Sequence, residues 1–168
     1  MMKMKKQETD KTGYRDGQWK VVHLGFLIDF MNAAGLSTTS LAERLGLSRQ
    51  AVWHWFSRDD MKLSQIYRLF ETCGYRIEFS LVKDSPQNGL PVCVTMAVNP
   101  PQAKARLDFL RIALDRYVPS KEALAQKIGV GKATLYNWFK ADDCFLSYVY
   151  AVAVAEEMRL SIKIEPLS

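Results

Sequence analysis

The stretch Ser48–Phe56, SRQAVWHWF, sets an arginine, a glutamine and a histidine among three aromatic rings. Laid on a helix, Val52, Trp55 and Phe56 fall at i, i+3 and i+4 and share one inward stripe. Arg49, Gln50, Trp53, His54 and Ser57 fall on the other side. That outward set has the chemistry to read bases, since arginine can clamp the O6/N7 edge of guanine and glutamine the N6/N7 edge of adenine.

The pattern occurs twice. Eighty-three residues on comes Gly131–Phe139, GKATLYNWF, where Leu135, Trp138 and Phe139 repeat the inward stripe. Its outward residues are Lys132, Ala133, Tyr136, Asn137 and Lys140. At the same offset Ser37 meets Ser120, Leu41-Ala42 meets Leu124-Ala125, and Gly46 meets Gly129. Asp59-Asp60 meets Asp142-Asp143, and Leu63, Ser64 and Tyr67 meet Leu146, Ser147 and Tyr150. An ungapped match over most of both halves marks an internal duplication.

The elements that must position these residues follow from periodicity. Trp19, Val22, Phe26, Leu27, Phe30 and Met31 predict one face of a first helix ending near Gly35. Leu107, Leu110, Ile112 and Leu114 do similar work in the second copy, after a helix start at Pro100-Pro101. Ser37 and Ser120 are expected to N-cap a short second helix that Gly46 and Gly129 end in a left-handed turn. Ser48 can cap the third helix, whereas Gly131 has no side-chain oxygen for that task. The Asp59-Asp60 and Asp142-Asp143 pairs are expected to cap the fourth helix that follows each of them. After Gly74 the period becomes two, and Tyr75, Ile77, Phe79 and Leu81 alternate with Arg76, Glu78, Ser80 and Val82, predicting a half-buried strand. Leu160, Ile162 and Ile164 close the second copy similarly, and the PVCVTMAV run can pair back as a third strand.

The predicted fold class is therefore mainly α with a small β-sheet: two tandem helix-turn-helix units, each of four helices followed by a C-terminal strand. The expected organisation is a flexible basic tail over 1–16, a first unit over 17–83, a linker with a strand over 84–99, and a second unit over 100–168.

The LAERLGLSRQAVWHWF segment resembles the Cro/C1-type (phage lambda repressor-like) helix-turn-helix family, and GYRIEFSLV after a fourth helix is similar to its small bacterial members. The second copy, LAQKIGVGKATLYNWF, also resembles the TetR-type motif. With 29 residues after Phe139, the long ligand domain of that family is not expected. The resemblance implies that the start of the third helix reads bases: Arg49, Gln50 and His54 in one copy, Lys132, Ala133 and Asn137 in the other. Ala133 offers only a methyl group, so the second copy is expected to read less sharply. Trp53 and Tyr136 accompany the reading set and pack on the sugar-phosphate backbone; their bulk departs from the small residue often found there. Ser37, Thr38, Thr39 and Lys121, with Ser57, Arg58 and Lys140, are the expected phosphate contacts.

Composition narrows the remaining classes. The 168 residues are 48% hydrophobic, ordinary for a globular chain, and no apolar run is long enough to span a membrane. The net charge of +5 suits a polyanion, but residues 1–20 hold six cations against three anions and so supply +3 of it. Residues 84–168 carry 10 cations and 9 anions. Cys73, Cys93 and Cys144 lack ligand spacing and read as buried reduced thiols; only two histidines are present. No metal, cofactor or enzymatic chemistry is expected, and the start reads as that of a cytoplasmic protein, nucleoid-associated in a prokaryote or phage. The partner expected is double-stranded DNA, bound by a repressor-like regulator acting as a pseudo-dimer. Homodimerisation through the C-terminal strands is left open. The competing reading is a helix-turn-helix scaffold with weak or no specific DNA binding.

Overall fold

A computed structural model describes residues 22–83 and 105–168 with their side chains, and residues 84 and 91–95 by their backbone. The basic tail, Trp19, the Pro100-Pro101 start and the Cys93 side chain lie outside the described residues. What is described is mainly helical with a small antiparallel sheet.

The elements run α1 (Gly25–Ala34), α2 (Thr38–Leu45), α3 (Arg49–Arg58), α4 (Leu63–Thr72), β1 (Tyr75–Asp84) and β2 (Pro91–Thr95), then α5 (Asp108–Tyr117), α6 (Lys121–Ile128), α7 (Lys132–Ala141), α8 (Leu146–Ala155) and β3 (Met158–Pro166). Helices α5 to α8 begin 83 residues after α1 to α4, and β3 begins 83 after β1. By its contacts the chain divides into two compact units, Met1–Asp60 and Met61–Ser168.

In the first unit, Leu24, Leu27, Met31, Leu41, Leu45, Val52, Trp55 and Phe56 form the buried core. The helix ends follow local chemistry. Ser37 and Ser40 make a reciprocal capping box, the Ser37 hydroxyl accepting from the Ser40 N–H at 3.1 Å and the Ser37 N–H donating to Ser40 Oγ at 2.8 Å. Gly46 ends α2 at φ 66°, a conformation that a Cβ would strain. Val22 departs from the expected helix face: it precedes α1 and is 76% exposed. The helix starts only at Gly25, so the 3.6-residue period does not yet apply to it.

Asp59 also departs from expectation. It ends α3 at φ 53°, and its carboxylate turns to the start of α1, accepting the N–H groups of Val22, His23 and Leu24 at 2.9–3.0 Å. Helix α4 instead has Lys62 at its N-cap position.

The second unit repeats these devices. Ser120 caps α6 through the Ala123 N–H at 3.1 Å, Gly129 ends it at φ 74°, and Gly131 leaves α7 without a side-chain cap. Asp142 ends α7 at φ 52° and accepts from the Arg106 and Leu107 N–H groups at 2.7 and 2.9 Å, so it serves α5 rather than α8. Asp143 likewise serves another helix, accepting the Ser64 N–H at 3.0 Å and the Ser64 hydroxyl at the start of α4.

The sheet order is β2-β1-β3, all antiparallel. Between β1 and β3, Phe79 pairs with Ile162, the residue 83 positions further on. Lys62 bridges Phe145 with the same spacing, flanked by Leu63 N–H to Cys144 O at 2.9 Å and Leu146 N–H to Met61 O at 2.8 Å. Residues at equivalent repeat positions thus face each other on a local pseudo-two-fold axis, the pattern of an isologous interface.

β1 is not the half-buried strand expected: β3 pairs with it from Tyr75 to Lys83, β2 joins only from Ser80 to Asp84, and α4 and α5 pack against it. Ile77 to Val82 are all buried, including Glu78 and Ser80. Glu78 keeps a polar partner in Arg76, whose Nε lies 3.4 Å away. Arg76 in turn donates to Glu165 at 2.6 Å, and Lys163 lies 2.8 Å from the same carboxylate.

Candidate nucleic-acid interface

Helix α3 begins at Arg49 because Ser48 accepts the Ala51 N–H at 3.1 Å. Val52, Trp55 and Phe56 are then buried, and Arg49, Gln50, Trp53, His54, Ser57 and Arg58 are exposed. The Trp53 and His54 rings meet edge to face with centroids 5.5 Å apart. Arg49, Gln50 and Trp53 together line an open depression of about 400 Å³. Three of the expected base-reading residues are thus brought together, with His54 against Trp53.

The expected phosphate contacts of the first copy fare unequally. Thr39 is exposed, but Thr38 is 4% exposed and its side chain faces the interior. The Ser37 hydroxyl is spent on the capping box, and Ser57 turns back to the His54 carbonyl at 3.3 Å. The Thr38 side chain is therefore corrected to a core position, since the first turn of α2 directs it inward beside Leu41 and Ala42.

Helix α7 presents the matching face with a different electrostatic setting. Lys132, Ala133, Tyr136, Asn137 and Lys140 are exposed, while Leu135 and Trp138 are buried. Phe139 departs from expectation in being only half-buried, with the Arg111 guanidinium 5.3 Å from its ring centroid. Lys132 Nζ lies 2.6 Å from Glu122 Oε1 and 5.8 Å from the Tyr136 ring centroid. The hydrogen bond from Lys132 holds the Glu122 carboxyl below the usual carboxylate range, and the same bond raises Lys132. Lys121 is similarly engaged, 3.2 Å from Asp115. Asn137 lies on the same helix as Lys132. With Thr134, Trp138, Phe145 and Tyr148 it lines a second depression of about 300 Å³.

Glu122 and Asp115 are the residues that sequence reasoning missed. Their signal was present as a difference between the copies, because the equivalent positions hold Thr39 and Asn32.

Among the described residues no cluster of three His, Cys, Asp or Glu side chains is arranged to hold a metal ion, and no helix is long and apolar enough to cross a membrane. Compared with known proteins, the chain matches no family model, no curated protein and no solved structure.

Proposed function

We propose that the chain is a sequence-specific double-stranded DNA-binding protein, a repressor-like transcriptional regulator built from two tandem helix-turn-helix units of the Cro/C1 type. The observation that carries this reading is the face of α3. Its aromatic back is buried, and its front exposes Arg49, Gln50, Trp53 and His54 on a capped helix held behind a glycine turn. An arginine and a glutamine on consecutive, solvent-facing positions at a helix start suit bidentate contacts to guanine and adenine in the major groove. The 83-residue match of every helix supports a second reading helix in α7, and the self-symmetric β1–β3 register supports a single-chain pseudo-dimer over a homodimer. Such a chain binds two unlike half-sites about one helical turn apart. It represses by occupying a promoter, in the cytoplasm where the DNA lies.

The second reading is an interaction or scaffold module. It is favoured by one observation, that Lys121 and Lys132 are both paired with carboxylates of the chain itself. Replacing Arg49 and Gln50 by alanine separates the two readings. Loss of specific duplex binding with the circular-dichroism spectrum and melting temperature retained supports the regulator. Undiminished specific binding, or none in the parent chain, contradicts it.

A further inference from the structure

The repeat allows the two reading faces to be compared position by position. Lys132 stands where the first copy has Arg49, and Glu122 stands where it has Thr39. Both first-copy residues are exposed, and Arg49 makes no ion pair among the described residues. In the second copy the cation is kept and the neutral residue is replaced by an anion, the two joined at 2.6 Å across α6 and α7. Neither partner is buried, with side-chain exposures of 57% for Lys132 and 53% for Glu122, so the pair stays open to solvent and to exchange.

We propose that Glu122 is a built-in competitor for DNA phosphate, which occupies Lys132 and sets α7 as the weaker of two unequal reading helices. This rests on the reading of α3 and α7 as DNA-reading elements and adds the residue that grades them. Two effects work in the same direction. Lys132 must leave a carboxylate before it can meet a phosphate or a guanine edge. Once it has left, the anionic Glu122 remains in the first turn of α6, where a phosphate would have to approach. An exposed ion pair is weak and salt-screened, so this arrangement handicaps binding without abolishing it. It also makes the handicap selective. Binding through α3 involves no such exchange, because Thr39 is neutral.

The same carboxylate has a purely structural role available, since an acid in a first helical turn favours the helix dipole. The test must therefore read DNA binding and stability separately. The probe is the duplex that the parent chain selects from a random library, titrated by fluorescence anisotropy over a range of salt. Glu122→Thr, which installs the first-copy residue, is expected to bind about three- to tenfold more tightly at low salt, with the slope of log K against log salt steeper by roughly one. Thr39→Glu is expected to weaken binding in the mirror sense. In a Lys132→Ala background the gain from Glu122→Thr should shrink, because no cation remains to be released.

Wild-type affinity and slope in Glu122→Thr would overturn the proposal while leaving the DNA-binding reading in place. An undiminished gain in the Lys132→Ala background would also overturn it, because a change of net charge would then be the whole effect. If the parent chain retains no duplex at any salt, the DNA-binding reading fails and this inference fails with it. The melting temperature of each variant, measured without DNA, reports the helix-dipole role and is not expected to follow the affinities.

Discussion

Phe79 and Ile162, 83 residues apart in sequence, are direct partners in the antiparallel pairing of β1 with β3. A residue that pairs with its own repeat equivalent lies on a two-fold relation, and the Lys62–Phe145 bridge lies on it as well. In a homodimer such a surface would join two chains; here β1 and β3 of one chain pair with each other. The chain is accordingly expected to sediment as a monomer of 19.2 kDa. A species of twice that mass at micromolar concentration would show strand pairing between chains instead.

The two aromatic backs are expected to differ in what they contribute. Trp55 and Trp138 are 4% and 6% exposed, and truncation of either to alanine should cost about 3–5 kcal/mol in urea unfolding, as for other large core deletions. Phe56 is fully buried while Phe139 is only half-buried, so Phe56→Ala should cost clearly more than Phe139→Ala. Equal losses for these two would contradict the difference in burial between α3 and α7.

Asp142 combines a left-handed backbone with a carboxylate that accepts two N–H groups at the start of α5. Asp142→Ala removes the acceptor and places a residue ill suited to positive φ, so a loss of about 1–2 kcal/mol is expected, in the range of other lost caps. Asp142→Asn keeps an acceptor and tolerates the conformation, and should lose less. Unchanged stability in the alanine variant would refute the capping role.

How far the sequence could be read depended on the range of the interaction. The caps by Ser37, Ser48 and Ser120 and the turns at Gly46 and Gly129 were legible because each is settled within four residues. The alternation through β1 also predicted its strand, yet not its burial, which comes from packing with β3, α4 and α5, elements whose contact with β1 the alternation does not encode. Asp59, Asp142 and Asp143 were recognised as helix-start acceptors, but the helices they serve lie 35 or more residues away in sequence. The outward residues of α3 followed from helical spacing alone. The pairing of Lys132 with Glu122 did not, because it joins two helices and shows in sequence only as a charge gained between the copies.

Glu165 carries the expected pH dependence. Hydrogen bonds from Lys163 and Arg76 hold its carboxyl below the ordinary glutamate value. Its folded form is therefore the weaker acid-binder, and the stabilisation is present above the unfolded value of about 4.3 and lost as pH falls through the depressed folded value. The melting-temperature gap between the parent chain and Glu165→Gln should be constant above about pH 5.5 and close on acidification. A gap independent of pH down to strongly acidic conditions would contradict this ion-pair cluster.

The central claim, that two unequal helices of one chain read DNA, is tested most directly by selecting a random duplex library with the purified protein at near-physiological salt and sequencing what is retained. The account predicts two unlike half-motifs about one helical turn apart, the sharper one lost on changing Arg49 and Gln50 to alanine. Retention without any motif, or no retention at all, would contradict it.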